Sequence, residues 1–239
     1  MQQLVSLSFY RFGSLGSRLW AFAMMGLARG PMARTQGIGF WKLCGSGTGE
    51  GFTPKPNFGV YAILATWPDE ETAKRETARG VFARYRDKSV EEWTVFMSPT
   101  SARGDWAGVQ PFIPHESLNN GPIAALTRAS VKPSMARHFW GRVPNISAVI
   151  GTDPSVLFKL GIGEKPLVHQ VTFSIWPDAA AMNNFARTGP HAEAIKAVRS
   201  DGWFSEELYA RFSLVSDRGT WGGTSPISTP PPLHPKETI

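Results

Sequence analysis

The sequence predicts an α+β fold in which two tandem ferredoxin-like βαββαβ repeats close into a fused dimeric α/β barrel, and three observations carry that prediction. Residues 61–69 read YAILATWPD and residues 170–178 read QVTFSIWPD, so a β-type run ends in the same Trp-Pro-Asp 109 positions apart. EEWTVFMSPTSARGDWAG from Glu91 answers EELYARFSLVSDRGTWGG from Glu206 at a spacing of 115. FWKL at 40–43 answers LFKL at 157–160 at a spacing of 117, which also brings Arg11 onto Arg128, Phe22 onto Phe139 and Lys42 onto Lys159.

Each half reads strand, helix, strand, strand, helix, strand. In the first half the strands are 5–12, 39–45, 60–67 and 91–99, with helices over 17–34 and 69–88. In the second half the strands are 122–130, 156–162, 169–176 and 207–215, with helices over 133–150 and 178–200. Asp69 and Asp178 follow Trp-Pro and are N-caps, since a carboxylate there accepts the unpaired N–H groups of a first helical turn. Residues 1–107 form the first repeat, 108–121 a linker with Pro111, Pro114 and an Asn-Asn-Gly turn, 122–223 the second repeat, and 224–239 a Pro-rich disordered tail. A ferredoxin-like sheet has one face bare of helices. Two such faces in one chain bury each other, and a cavity between the sheets is expected.

With 239 residues, 42% of them hydrophobic, the chain is long enough to bury a sizeable core. Its lone cysteine, Cys44, excludes an internal disulfide framework and a thiolate-rich zinc site and suits a reducing cytoplasm. The net charge of +6 favours anionic partners, but the basic residues are scattered and no nucleic-acid motif is present, so no nucleic acid is expected. LWAFAMMGLA at 19–28 is too short to span a bilayer, which takes about 20 apolar residues, and it reads as a buried helix rather than a signal peptide.

Five histidines are candidates for chemistry. His234 lies in the tail, His115 in the linker, and His138 beside aromatics on a helix. His169 opens a strand, where alternation turns it either into the barrel or out under the helices. His191 follows Gly189, an N-cap, and Pro190, a first helical residue. The positive end of the helix dipole disfavours imidazolium there and leaves a lone pair for a metal; the alternative is an exposed first-turn histidine with no task. Ile195 and Val198 continue one apolar stripe from His191 at i+4 and i+7, and the matching helix of the first half holds no histidine. Lys42 and Lys159, on strands read as equivalent, are further catalytic candidates, against a snorkelling role. LCGSGTGEGF at 43–52 lacks the pattern of a phosphate-binding loop and reads as a loop over the barrel mouth, with Glu50 facing a ligand. Arg103 and Arg218, in ARGDWAG and DRGTWGG, read as twin structural turns anchored by Trp106 and Trp221. HExxH, paired cysteines and a Gly-x-Ser-x-Gly elbow are all absent.

FWKLCGSGTGEGFTPKPN, ALTRASVKP, VLFKLGIGE, HQVTFSIWPDAAAM and GPHAEAIKAVRSDGWFSEELYARF together resemble the spheroidene monooxygenase family, the acyclic carotenoid ketolases of purple photosynthetic bacteria, over residues 4–223. The resemblance implies an O2-dependent oxidoreductase of carotenoid biosynthesis that turns the methylene beside the methoxy end of spheroidene into a ketone. It also implies haem iron held by His191 with Ile195 against the macrocycle, and electrons from a reduced 2Fe-2S ferredoxin. Such a protein is cytoplasmic and peripheral on the inner photosynthetic membrane, meeting its carotenoid at the membrane surface. The fused repeat does not require an oligomer. A haem peroxidase or dismutase on the same barrel, and a non-enzymatic barrel for an apolar ligand, are the competing readings, since a fold alone does not choose a function.

Overall fold

The structure, a computed structural model, describes residues 2–49, 53–116, 121–136, 140–141, 155–165, 167–187 and 202–227. In chain order they form β1 (Leu4–Arg11), α1 (Leu15–Leu27), α2 (Arg29–Ala33), β2 (Trp41–Gly47), β3 (Pro56–Trp67), α3 (Glu70–Thr77), α4 (Gly80–Lys88) and β4 (Glu91–Gly104). The second half follows with β5 (Ile123–Val131), β6 (Phe158–Lys165), β7 (His169–Trp176), α5 (Ala179–Arg187) and β8 (Phe204–Gly219). The strands close into one barrel in the order β1-β3-β2-β6-β7-β5-β8-β4. The two halves therefore use the same permutation, β4-β1-β3-β2 and β8-β5-β7-β6. They meet at two joints: a long one from Trp93↔Gly219 to Gly104↔Leu208, and a short one at Gly45↔Gly163 and Ser46↔Ile162.

The helix starts follow the predicted chemistry. Asp69 accepts the Thr72 N–H at 2.7 Å and Asp178 accepts that of Ala181 at 2.7 Å. The predicted helices 17–34 and 69–88 are each two. Pro31 has no N–H to continue the α1 ladder past Leu27, and Gly80, at φ +61°, sits beyond an extended Arg79 and starts a new helix. β4 and β8 run longer than read, because each extends along the other at the long joint.

Alternation divides the side chains between two cores. Val5, Leu7 and Phe9 of β1 point into the barrel, while Tyr10 and Phe12 turn out beneath the helices with Met24, Met32, Tyr61, Phe82 and Tyr85. The cavity expected between the sheets is filled. Phe9 stacks on Trp93 at 5.7 Å, Trp93 meets Phe158 at 4.6 Å, and Phe173 closes on Phe9 at 5.8 Å. Phe158, read only as part of a repeated block, is the ring that turns the predicted hollow into core.

The connector after β4 is packed where it is described: Phe112 lies 5.1 Å from the Phe212 ring, and His115 Nε2 accepts the Gln3 N–H at 3.1 Å. At the other end Trp221 bridges Thr224, and Ile227 packs on the barrel core, so the first residues read as tail belong to the fold. His138, Phe139, the His191 helix start with Ile195 and Val198, and residues 228–239 lie outside the described residues.

Candidate functional site

The twin turns bind the halves together crosswise. The turn after β4 runs over the second half, where Glu206 accepts the N–H of Gly108 at 2.7 Å and of Ala107 at 3.1 Å. The turn after β8 runs over the first half, where Glu91 accepts the N–H of Gly223 at 2.8 Å. Trp106 and Trp221 anchor these turns as predicted, each donating its backbone N–H three residues on at 2.8 Å. An arginine lies against each indole: Arg11 at 4.4 Å from the Trp221 ring, and Arg128 at 5.8 Å from that of Trp106.

Strand pairing corrects two equivalences drawn from the sequence. Lys42 pairs across from Leu64, whose counterpart Phe173 pairs with Leu160, so Lys42 corresponds to Leu160. Lys159 pairs with Ser174 and corresponds to Trp41. Matching FWKL to LFKL slips the register by one residue, and a slip of one sends a side chain to the opposite face. Lys42 points into the barrel rim, whereas Lys159 points outward. By the same pairing Arg128 corresponds to Phe9, not Arg11, because Phe9 lies opposite Ala62 and Arg128 opposite Val171.

These registers expose an asymmetry that the sequence did not. At one end of the barrel Lys42, Arg128 and His169 face inward, and the same three places at the other end hold Leu160, Phe9 and Val60. Glu164, which the sequence reading did not single out, joins them. It accepts from Lys42 Nζ at 2.9 Å and from Trp106 Nε1 at 2.7 Å, and its Oε2 lies 3.6 Å from His169 Nδ1. Arg128, with 1% of its surface exposed, pairs with Glu206. Lys42 and His169 therefore meet around one carboxylate, and Lys159 is not part of the group. The available signal was the acid at the end of VLFKLGIGE, a counter-charge for an inward lysine.

The cluster sets its own protonation. Burial and then the Arg128 charge hold the His169 pKa below the usual imidazole value, against the pull of Glu164 and Glu206. Burial, then Glu164, pushes the Cys44 thiol up, so it is no thiolate. Burial opposes ionisation of Glu91 and Glu206, but the turn N–H groups and the arginines outweigh it and lower both pKa values. A depressed folded-state pKa contributes stability that is complete above the unfolded value and is lost as pH falls through the folded one. Stability should thus descend in two stages, from about pH 6.5 through His169 and from about pH 4.3 through the carboxylates. Urea midpoints across pH check this, and His169→Gln removes the first stage alone.

Glu164 also borders a cavity of about 210 Å3 on the outer surface, over the short joint. Gly45, Gly47 and Gly163 line it on the sheet, with Phe22 and Met25 of α1, Phe58 and Tyr61 of β3, and Trp140 and Leu167 of the second half around them. A methyl group on Gly45 would meet open space, so the sheet is bare there. The predicted mouth loop at 43–52 is, through Gly47, strand β2 beneath this cavity; Glu50 lies outside the described residues. Flat aromatic walls over a glycine floor fit an elongated or planar apolar group. Among the described lining residues there is no histidine or cysteine. The ligand that haem would need, His191, lies outside the described residues. Among the described residues no group of three His, Cys, Asp or Glu is placed to hold a metal ion, and no helix is long and apolar enough to cross a membrane.

No family model matches the chain. An aldoxime dehydratase crystallised with butyraldoxime superposes with a TM-score of 0.62 at 10% identity, covering 95% of this chain and 86% of that one. A second aldoxime dehydratase gives 0.57 at 10% identity over 90% and 82%. Both likenesses are of fold. In sequence, spheroidene monooxygenase of Rhodobacter capsulatus is 50% identical over 231 residues, 95% of this chain and 96% of that protein. That of Cereibacter sphaeroides is 50% identical over 239 residues, 98% and 74% of the two chains. That of Rubrivivax gelatinosus is 34% identical over 208 residues, 87% and 80%. Identity of this extent, running through both halves of the barrel, makes the chain a member of the spheroidene monooxygenase family of oxidoreductases.

Proposed function

We propose that this chain is a haem-dependent monooxygenase that converts a methylene of an acyclic carotenoid, of the spheroidene type, into a ketone with O2 and electrons from reduced ferredoxin. The observation that carries the reading is the 50% identity to two spheroidene monooxygenases over nearly the whole chain. Haem held by His191 supplies the activation of O2 that no ordinary side chain provides. The protein's own groups have three tasks. Phe22, Phe58, Tyr61 and Trp140 hold an apolar polyene end and exclude water, and the glycines let it lie close on the sheet. Each hydroxylation consumes O2, an electron pair and a pair of protons and releases water. Glu164, which lies at the cavity edge with its carboxylate turned toward Lys42 and His169 Nδ1, passes those protons.

Two measurements test the reading. Purified protein reconstituted with haem shows a Soret band, which His191→Ala loses or shifts. In a host that accumulates spheroidene and supplies a competent ferredoxin, the wild type yields red-shifted ketocarotenoids and His191→Ala yields none. Unchanged pigment with the wild type overturns the carotenoid reading, and a wild type that stays colourless after reconstitution overturns the haem reading.

A further inference from the structure

We propose that the outer face of α1, together with Phe58 and Leu167, is a docking face for the surface of an anionic phospholipid bilayer, placed over the mouth of the cavity at the short joint. The inference rests on the reading above that the substrate is an apolar molecule resident in the membrane, and it names the surface through which that substrate enters.

The helix is amphipathic in both directions. Ala21 and Met24 bury one face on the first-half sheet, while Leu15, Leu19 and Phe22, at i, i+4 and i+7, form a stripe on the opposite side that is 74%, 61% and 58% exposed. Three large apolar side chains in line on solvent mark a contact face rather than scattered surface residues. The stripe is continued off the helix, since the Phe22 ring meets Phe58 edge-on at 5.8 Å, and Phe58 and Leu167 are themselves 52% and 44% exposed. Phe22, Phe58 and Leu167 also line the cavity, so the exposed patch and the cavity mouth are one continuous apolar surface.

The charges select the occupant. The stretch that carries α1, residues 12–40, contains Arg18, Arg29 and Arg34 and no aspartate or glutamate. Arg18 lies on α1 three residues after Leu15, Arg29 opens α2 just beyond its end, and both are exposed. A second copy docking symmetrically on this face would set these arginines against one another. A bilayer accepts the leucines and phenylalanines into its interface and pairs the guanidinium groups with lipid phosphates, the arrangement of interfacial amphipathic helices. At thirteen residues α1 lies on a bilayer and does not cross it.

The test is co-sedimentation of the full chain with vesicles of phosphatidylcholine, with and without phosphatidylglycerol. The wild type sediments with the anionic vesicles and several-fold less with pure phosphatidylcholine. Leu15→Glu/Leu19→Glu, whose side chains are on the surface and outside the cavity lining, keeps the wild-type circular dichroism and Tm but loses binding by about tenfold or more. Arg18→Gln/Arg29→Gln binds both vesicle types alike. Conversion of detergent-solubilised carotenoid by the leucine variant equals that of the wild type, and conversion from vesicles falls. Wild-type protein that stays in the supernatant, or a leucine variant that sediments as the wild type does, overturns the proposal. So does a dimer in light scattering that Leu15→Glu/Leu19→Glu dissociates, or capture of an acidic ferredoxin that the same variant abolishes. A wild type inactive on detergent-solubilised carotenoid overturns the function reading instead, because sedimentation is measured without substrate.

Discussion

Gly219→Ala lowers the folding stability of this chain by about 4 kcal/mol: left-handed backbone costs a non-glycine residue roughly 1–3 kcal/mol, and forced overlap in a packed region adds about as much. Gly219 has a φ of +84°, and a Cβ there would overlap the carbonyl oxygen of Glu92 on the neighbouring strand. The backbone of β4 has nowhere to yield, since Trp93 is committed to the aromatic core one residue on. Gly104, at φ +92° against the Glu207 carbonyl, is the same device at the other end of the joint, so Gly104→Ala matches it. Gly45→Ala is the control, because its added methyl meets open space over the short joint and leaves stability within about 1 kcal/mol. Urea unfolding of the three variants reads the difference. Equal midpoints for Gly219→Ala and Gly45→Ala would show that the long joint is not held by close backbone contact.

Arg128→Met costs about 3 kcal/mol, the low end of the loss expected when one partner of a buried ion pair is removed and the other is left charged. The Arg128 side chain is 2% exposed and that of Glu206 25%, so Glu206 keeps some water and its two turn N–H groups, which holds the loss to that end. Arg11→Met, at the opposite end, removes a guanidinium whose side chain is 42% exposed and costs about 1 kcal/mol or less. The pair of measurements separates a barrel that merely tolerates ion pairs at its ends from one that has built a cation into a place where its twin has Phe9. A loss for Arg128→Met no larger than that for Arg11→Met would reject the second description.

The N-caps at Asp69 and Asp178 and the Trp-anchored turns were legible because each rests on residues close together in sequence, and the repeat because whole blocks recur in the same order. The breaks at Pro31 and Gly80 were legible in kind, being set by a missing N–H and a left-handed backbone, although the reading ran its helices through both. The equivalences of Lys42 with Lys159 and of Arg11 with Arg128 were drawn from matching letters. Register, however, is set by backbone pairing between distant strands, and shifts of one and two residues leave the letters looking alike. The polar end of the barrel was hidden for that reason: once Arg128 is seen to stand at the place of Phe9, and His169 at that of Val60, the charge is a departure from the repeat rather than part of it. The aromatic filling of the barrel depended on which face Phe158, Trp93 and Phe173 present, which alternation alone does not fix until the partners are known.

The crossed turns make each half the lid of the other. Trp106, at the end of the first half's closing strand, completes the rim around Glu164 and Arg128 of the second, and Trp221 covers Phe9 and Arg11 of the first. A single repeat cut from this chain would face water with Val5, Leu7, Phe9, Trp93, Val95 and Met97 and would lack the indole that seals them. The two halves are thus obligate companions written in tandem, and the length of chain between them fixes their stoichiometry at synthesis. With that assured, one end of the barrel was free to become polar without its counterpart having to follow.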